Sequence, residues 1–150
     1  MKTGIVYEST HHGNTKKLLD AIAKKYEVTL IDAVAEENPE LDQYDVIGFA
    51  SGISFGKFYK KITGVAAAKL PENKKVFFLY TCGNNSKDFS RHMQEIAEQK
   101  HCCCLGSYGC KGYDTYGPFG LIGGINKNHP DDQEIQDAVT FYQKTVAEAN

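Results

Sequence analysis

Between Tyr7 and Lys16 the chain reads Glu-Ser-Thr-His-His-Gly-Asn-Thr. Ser9, Thr10 and Thr15 each offer a hydroxyl proton and Asn14 an amide N–H, while Gly13 lets the backbone come close to a guest. The apolar run Ile5-Val6-Tyr7 leads into this cluster, and Lys16-Lys17-Leu18-Leu19 opens a helix after it. That order sets N–H groups and hydroxyls at a helix N-terminus, where the dipole favours an anion. An ordinary helix cap needs one such residue; a set of them around a glycine predicts a phosphate site. The patterns G-x-x-x-x-G-K-S/T and G-x-G-x-x-G are both absent, which argues against a triphosphate or a dinucleotide. A loop of this kind holds a monophosphate ester by hydrogen bonds and leaves much of its charge uncompensated.

Strands and helices must alternate to present such a loop. Thr3–Tyr7, Val28–Ile31, Asp45–Ala50, Lys75–Tyr80 and Cys102–Tyr108 read as five strands, the first apolar enough for a central parallel strand buried on both faces. Leu18, Leu19, Ile22 and Tyr26 form the stripe of the first helix. The acidic crossover Asp32–Tyr44 holds at most a short helical piece. Phe58, Ile62 and Val65 mark the helix after the third strand, with Lys57, Lys60 and Lys61 in its first turn. Asn85 or Ser86 caps the next helix, whose stripe is Phe89, Met93, Ile96 and Ala97. Gly109–His129 reads as a long loop rich in glycine and aromatics. Asp131 and Glu134 fit a capping box ahead of Ile135, Ala138, Val139, Tyr142 and Val146. The expected fold is a single α/β domain over residues 1–150: a three-layer sandwich around a doubly wound five-stranded parallel sheet of order 2-1-3-4-5. Its ligand crevice lies at the carboxyl ends of strands 1 and 3, beside the polar loop.

The totals narrow the function. With 150 residues and 41% hydrophobic content, the chain can bury a full core. A net charge of −2 gives no argument for nucleic acid or a membrane surface, and no apolar run reaches a membrane span. The expected location is the cytoplasm. Cys82, Cys102, Cys103, Cys104 and Cys110 are odd in number and three are adjacent, unlike a secreted disulfide framework. Adjacent strand residues alternate in facing, so those three cannot converge on one metal; they read as small apolar residues of a buried strand. No metal-ligand or Ser-His-Asp arrangement is visible.

Two further loops share the sheet edge: Ser51-Gly52-Ile53-Ser54-Phe55-Gly56 after strand 3 and Thr81-Cys82-Gly83-Asn84-Asn85-Ser86 after strand 4. Small residues let a planar ligand lie against backbone amides, and Phe55 could cover a ring face. An anion anchor beside a flat slot describes flavin mononucleotide, FMN. Ser-Thr-His-His-Gly-Asn-Thr at 9–15 resembles the phosphate loop of flavodoxins, and Cys82-Gly83-Asn84-Asn85-Ser86 resembles their loop after strand 4. Ala50–Phe58 resembles the corresponding loop of flavodoxin-like protoporphyrinogen oxidases. As in short-chain flavodoxins, no insertion splits the fifth strand.

The resemblance implies that Ser9, Thr10, His11, His12, Gly13, Asn14 and Thr15 hold the phosphate. Ser51, Gly52, Ile53, Phe55 and Gly56 would line one side of the isoalloxazine, with Cys82, Gly83 and Asn84 near its pyrimidine edge. Gly52 or Gly56 would supply the peptide that flips to meet the proton gained at flavin N5. The phosphate loop is one residue longer than is usual in the family, with His11-His12 in the extra space. A histidine donating to the phosphate would have its pKa raised by the dianion. The family's sandwiching tryptophan is missing, and Lys87 stands near its tyrosine's place. The implied function is electron shuttling between redox partner proteins, as a monomer or weak dimer. The alternative is an FMN-dependent reductase or oxidase of a small organic substrate of quinone or protoporphyrinogen type, to which the lysines and the second loop point. A phosphorylated signalling receiver fits poorly, because strand 3 ends in Ser51 where an aspartate would be needed.

Overall fold

The computed structural model describes residues 1–84 and 87–148. Five parallel strands lie in the order β2-β1-β3-β5-β6: β1 (Thr3–Glu8), β2 (Thr29–Asp32), β3 (Val46–Ser54), β5 (Lys75–Cys82) and β6 (Cys103–Lys111). A sixth strand, β4 (Lys57–Phe58), pairs antiparallel with the end of β3. The expected five-strand order is therefore correct for the parallel part, and β4 is an addition. The helices are α1 (Asn14–Lys25), α2 (Lys60–Lys69), α3 (Arg91–Gln99) and α4 (Asp132–Tyr142). A 3₁₀ turn, Gly117–Ile122, precedes α4, and a π-helical turn, Gln143–Ala147, follows it.

Alternation along the strands divides the core. Val6, Ile47, Phe49, Val76, Phe78 and Tyr80 pack with Ile62, Val65 and Ala66 of α2 and with Met93 and Ala97 of α3. Ile5, Val46, Ala50, Phe77 and Leu79 pack with Leu19 and Ile22 of α1 and with Val139 and Tyr142 of α4. Two helices on each face make three layers. On the α1/α4 side Gly48 pairs in register with Phe77. A Cβ at Gly48 would lie 2.4 Å from the Phe77 ring, so that ring occupies the space a side chain would fill. The capping box of α4 forms as expected, Asp131 accepting from the Glu134 N–H at 2.8 Å and Glu134 from the Asp131 N–H at 2.9 Å. His129 also bonds to Glu134.

Several boundaries correct the sequence reading. Strand β3 runs on through Ser51-Gly52-Ile53-Ser54, because these residues still find ladder partners in β5 and β4. Phe55 (φ 52°) and Gly56 (φ 77°) form the two-residue turn into β4, both left-handed as a type I′ hairpin requires. Lys57 and Phe58 thus belong to β4, and only Lys60 and Lys61 begin α2. Gly109, Cys110 and Lys111, expected in a loop, extend β6. Cys103 is exposed and Cys104 half-buried, since β6 is the sheet's edge; Cys102 alone of the three is buried. The crossover from 33 to 45 has no helix and seats Leu41 and Tyr44 in the core instead. Asn85 and Ser86 lie outside the described residues, and α3 begins after Ser90.

Candidate functional site

The carboxyl ends of β1, β3 and β5 meet where the order reverses, the place such sheets keep for ligands. The N-cap of α1 is Gly13 (φ 65°), with no side-chain cap. His12 precedes it at φ 58°, so two left-handed residues turn the backbone into a concavity ahead of the helix. Nothing lies within 4 Å of where a Cβ at Gly13 would stand, which leaves its peptide open to a guest. Ser9 Oγ accepts from the Lys16 N–H at 3.0 Å and keeps its own proton to donate. Thr15 Oγ1 lies 2.9 Å from Thr81 Oγ1, both residues buried. Asn14 Nδ2 donates to the Tyr113 carbonyl at 2.8 Å, while its Oδ1 is buried without a partner. A buried acceptor left open costs about 1–3 kcal/mol, so this oxygen calls for a donor from outside the chain. Lys16 is turned away, paired with Asp20 at 2.6 Å.

A strap, residues 112–116, lies over the loop. His11 stacks on Tyr116 with centroids 4.0 Å apart, and His12 tilts on Tyr113 at 4.2 Å. His12 Nε2 bonds Thr115 Oγ1 at 2.9 Å, and the Thr115 N–H donates to His11 Nε2 at 3.3 Å. Further on, Asn126 Nδ2 donates to the Gly83 carbonyl at 2.7 Å. The cleft between loop and strap has a volume of about 20 Å³, room for a water or two. Beside it lies a cavity of about 190 Å³ lined by Ile53, Gly56, Cys82, Gly83, Asn84 and Phe119, among others. Asp114 borders both.

Burial, and then the neighbouring His12, lower the pKa of His11 below the usual imidazole value; Asp114, 3.5 Å away, only partly opposes this. A neutral ring is what accepting from Thr115 N–H requires. Because the folded chain disfavours this proton, the strap is most stable above the unfolded pKa near 6.5 and loses stability as pH falls through and below it. Protection of the Thr115 amide against hydrogen exchange is expected to drop several-fold between pH 7.5 and 5.5, after correction for intrinsic exchange. His11→Phe, which keeps the stack on Tyr116 but cannot titrate, should abolish that pH dependence.

A family model described as a flavodoxin domain matches residues 5–104. The chain belongs to the flavodoxin domain family. An uncharacterised protein of Methanocaldococcus jannaschii is 38% identical over 143 residues, covering 94% of this chain and 95% of the relative. Flavodoxin 2 of Bacillus cereus superposes with a TM-score of 0.70 at 17% identity, all of both chains being covered. General stress protein 14 of Treponema denticola, a complex with FMN, does so with 0.67 at 10% identity, again over the whole of both chains. The two solved structures are likenesses of fold.

Of the residues read from sequence, this flavodoxin domain brings Ser9, His11, Asn14, Thr15, Gly52, Ile53, Cys82 and Gly83 together around the cleft. Gly56 and Asn84 border the adjoining cavity. Thr10 and Phe55 line a separate outer groove, and Phe55 is 102% exposed, so it covers no ring face here. Ser51 is fully buried and accepts from the Tyr59 N–H at 2.9 Å. Gly52 pairs with Thr81 inside the sheet, whereas Gly56 sits at a left-handed position in an open turn. The Cys82 thiol, pushed up to about 12 by burial, stays protonated.

Thr81, Gly112 and Asp114 also line the cleft, as does Tyr59, which the sequence reading leaves out of the site. A Cβ at Gly52 would meet the Tyr59 hydroxyl at 2.2 Å, so that phenol lies directly on Gly52. Burial, and then its bond to Tyr116, raise its pKa. The glycine pair around Phe55 was the available signal for a hairpin that would aim Tyr59 inward. It was obscured because phenylalanine is a poor residue for a left-handed turn. Among the described residues, no helix is long and apolar enough to cross a membrane.

Proposed function

We propose that this chain binds FMN and passes its electrons between redox proteins. The observation that carries the reading is that the hydroxyl loop, with the unpartnered Asn14 Oδ1, adjoins a cavity bordered by Ile53, Gly56 and residues 82–84. In this reading the free proton of Ser9, the Thr15 hydroxyl and the amides of the Gly13 turn hold the phosphate. Asn14 Oδ1 would accept from a hydroxyl of the cofactor's sugar chain, and Ile53, Gly83 and Phe119 would hold the ring. These donors suit a phosphate monoester, and the small residues 52, 56 and 83 suit a flat ring. The bound flavin would supply the reversible redox chemistry.

The protein's part is to seat the cofactor, exclude water with the strap, and keep Cys82 neutral beside it. The cleft of about 20 Å³ is too small for FMN with the strap closed, so cofactor entry requires Tyr113–Tyr116 to lift. Membership of the flavodoxin domain family supports the same cofactor. Titration of the purified chain should show FMN fluorescence quenched at concentrations at least about 100-fold lower than riboflavin, the worth of a well-held phosphate with several charge-assisted bonds. Equal affinity for the two would overturn the reading. Rapid turnover of NAD(P)H or a quinone by the loaded protein would replace the carrier with an enzyme.

A further inference from the structure

We propose that the groove between the β3–β4 hairpin and Tyr116 docks an acidic electron-transfer protein, with Phe55 as the anchor. This rests on the chain being an FMN carrier. The groove has a volume of about 630 Å³, with Phe58 and Tyr59 in its lining and Lys57, Lys60 and Lys61 beside them. The three lysines are exposed, and none forms an ion pair among the described residues. Glu8 is the single acid of the lining. Within a chain of net charge −2, the groove thus sets three cations against one acid.

Two local rules are broken side by side. Lys60 and Lys61 stand in the first turn of α2, where the helix dipole opposes cations. Phe55 occupies a left-handed position at φ 52° that suits asparagine or glycine, and its ring is wholly in water. Neither departure gains an ion pair or a ring contact among the described residues. A partner that buries the ring and neutralises the lysines accounts for both at once. Phe55 projects from the tip of a hairpin, and a projecting aromatic fits a recess on another protein better than it encloses a small molecule. Gly56, the other residue of the turn, borders the cavity assigned to the flavin ring, so a partner seated on Phe55 would sit one residue from the cofactor.

The test uses FMN-loaded protein, mixed by stopped flow with a reduced plant-type ferredoxin as the acidic probe. One electron leaves the iron–sulfur cluster and enters the bound flavin. The second-order rate constant is expected to fall at least tenfold as salt rises from about 20 to 300 mM, as for association steered by opposite charges. The triple variant Lys57→Glu, Lys60→Glu, Lys61→Glu should lose at least tenfold at low salt and invert the salt dependence. Phe55→Ser should lose several-fold at every salt concentration with the slope unchanged. Wild-type rates in both variants, with FMN still bound, would overturn the docking surface and leave the cofactor reading intact. Failure to bind FMN at all would remove the reading beneath it. Loss of NADPH oxidation in the triple variant with ferredoxin rates preserved would give the groove to a nucleotide, and so overturn the proposal as well.

Discussion

Thr15→Val is expected to weaken FMN binding by about 10–100-fold while leaving riboflavin binding unchanged, because one hydrogen bond to a charged group contributes about 1.5–3 kcal/mol. Valine keeps the shape of threonine and removes only the hydroxyl at the second residue of α1. It also strands Thr81 Oγ1, whose bond to Thr15 at 2.9 Å is buried. Some loss of stability, about 1–3 kcal/mol, should therefore accompany the loss of affinity. Thr81→Val separates the two effects: it strands Thr15 in turn and costs similar stability, but leaves the ratio of FMN to riboflavin affinity where it was. Isothermal titration with both ligands, paired with urea denaturation of the free proteins, makes the comparison. If both variants changed the ratio equally, the phosphate would not be held by Thr15.

The second large effect is in the core. Gly48→Ala is expected to cost about 2–3 kcal/mol of folding stability, the upper part of the range for overpacking a dense interior. The added methyl would meet three atoms of the Phe77 ring at 2.4 to 2.9 Å. Retreat is blocked, because Phe141 and Tyr142 pack on that ring at centroid distances of 6.4 and 5.7 Å. Phe77→Leu on its own should cost about 1–2 kcal/mol through the space it leaves. Combined, the two changes should cost at least about 1 kcal/mol less than their sum, since the methyl then enters the space vacated. Urea midpoints for the four proteins of this cycle measure the coupling, and strict additivity would show that Gly48 is not kept for the ring.

The hydroxyl-rich loop and the β/α alternation were legible because both are local. Hydroxyls around Gly13 and the apolar runs of β1, β3 and β5 declare themselves within a few residues. The capping box at Asp131 and Glu134 is equally local, and it formed as expected. The hairpin was not legible, since its turn carries Phe55 where asparagine would have announced it. Missing it put Lys57 and Phe58 in a helix and hid Tyr59.

By itself, then, the sequence determined a doubly wound α/β fold with a hydroxyl-rich loop at its switch point. Hydrophobic period and helix-end chemistry act over one or two turns of chain, and they are sufficient to set the elements and their order. Only the tertiary structure decided what closes over that loop. His12 meets Thr115, and Asn14 meets Tyr113, across 103 and 99 residues of chain, while Asn126 reaches Gly83 across 43. Contacts at such separations have no period and no cap to betray them. They exist because the sheet brings the ends of β1, β5 and β6 to one edge, where polar groups without water must find one another.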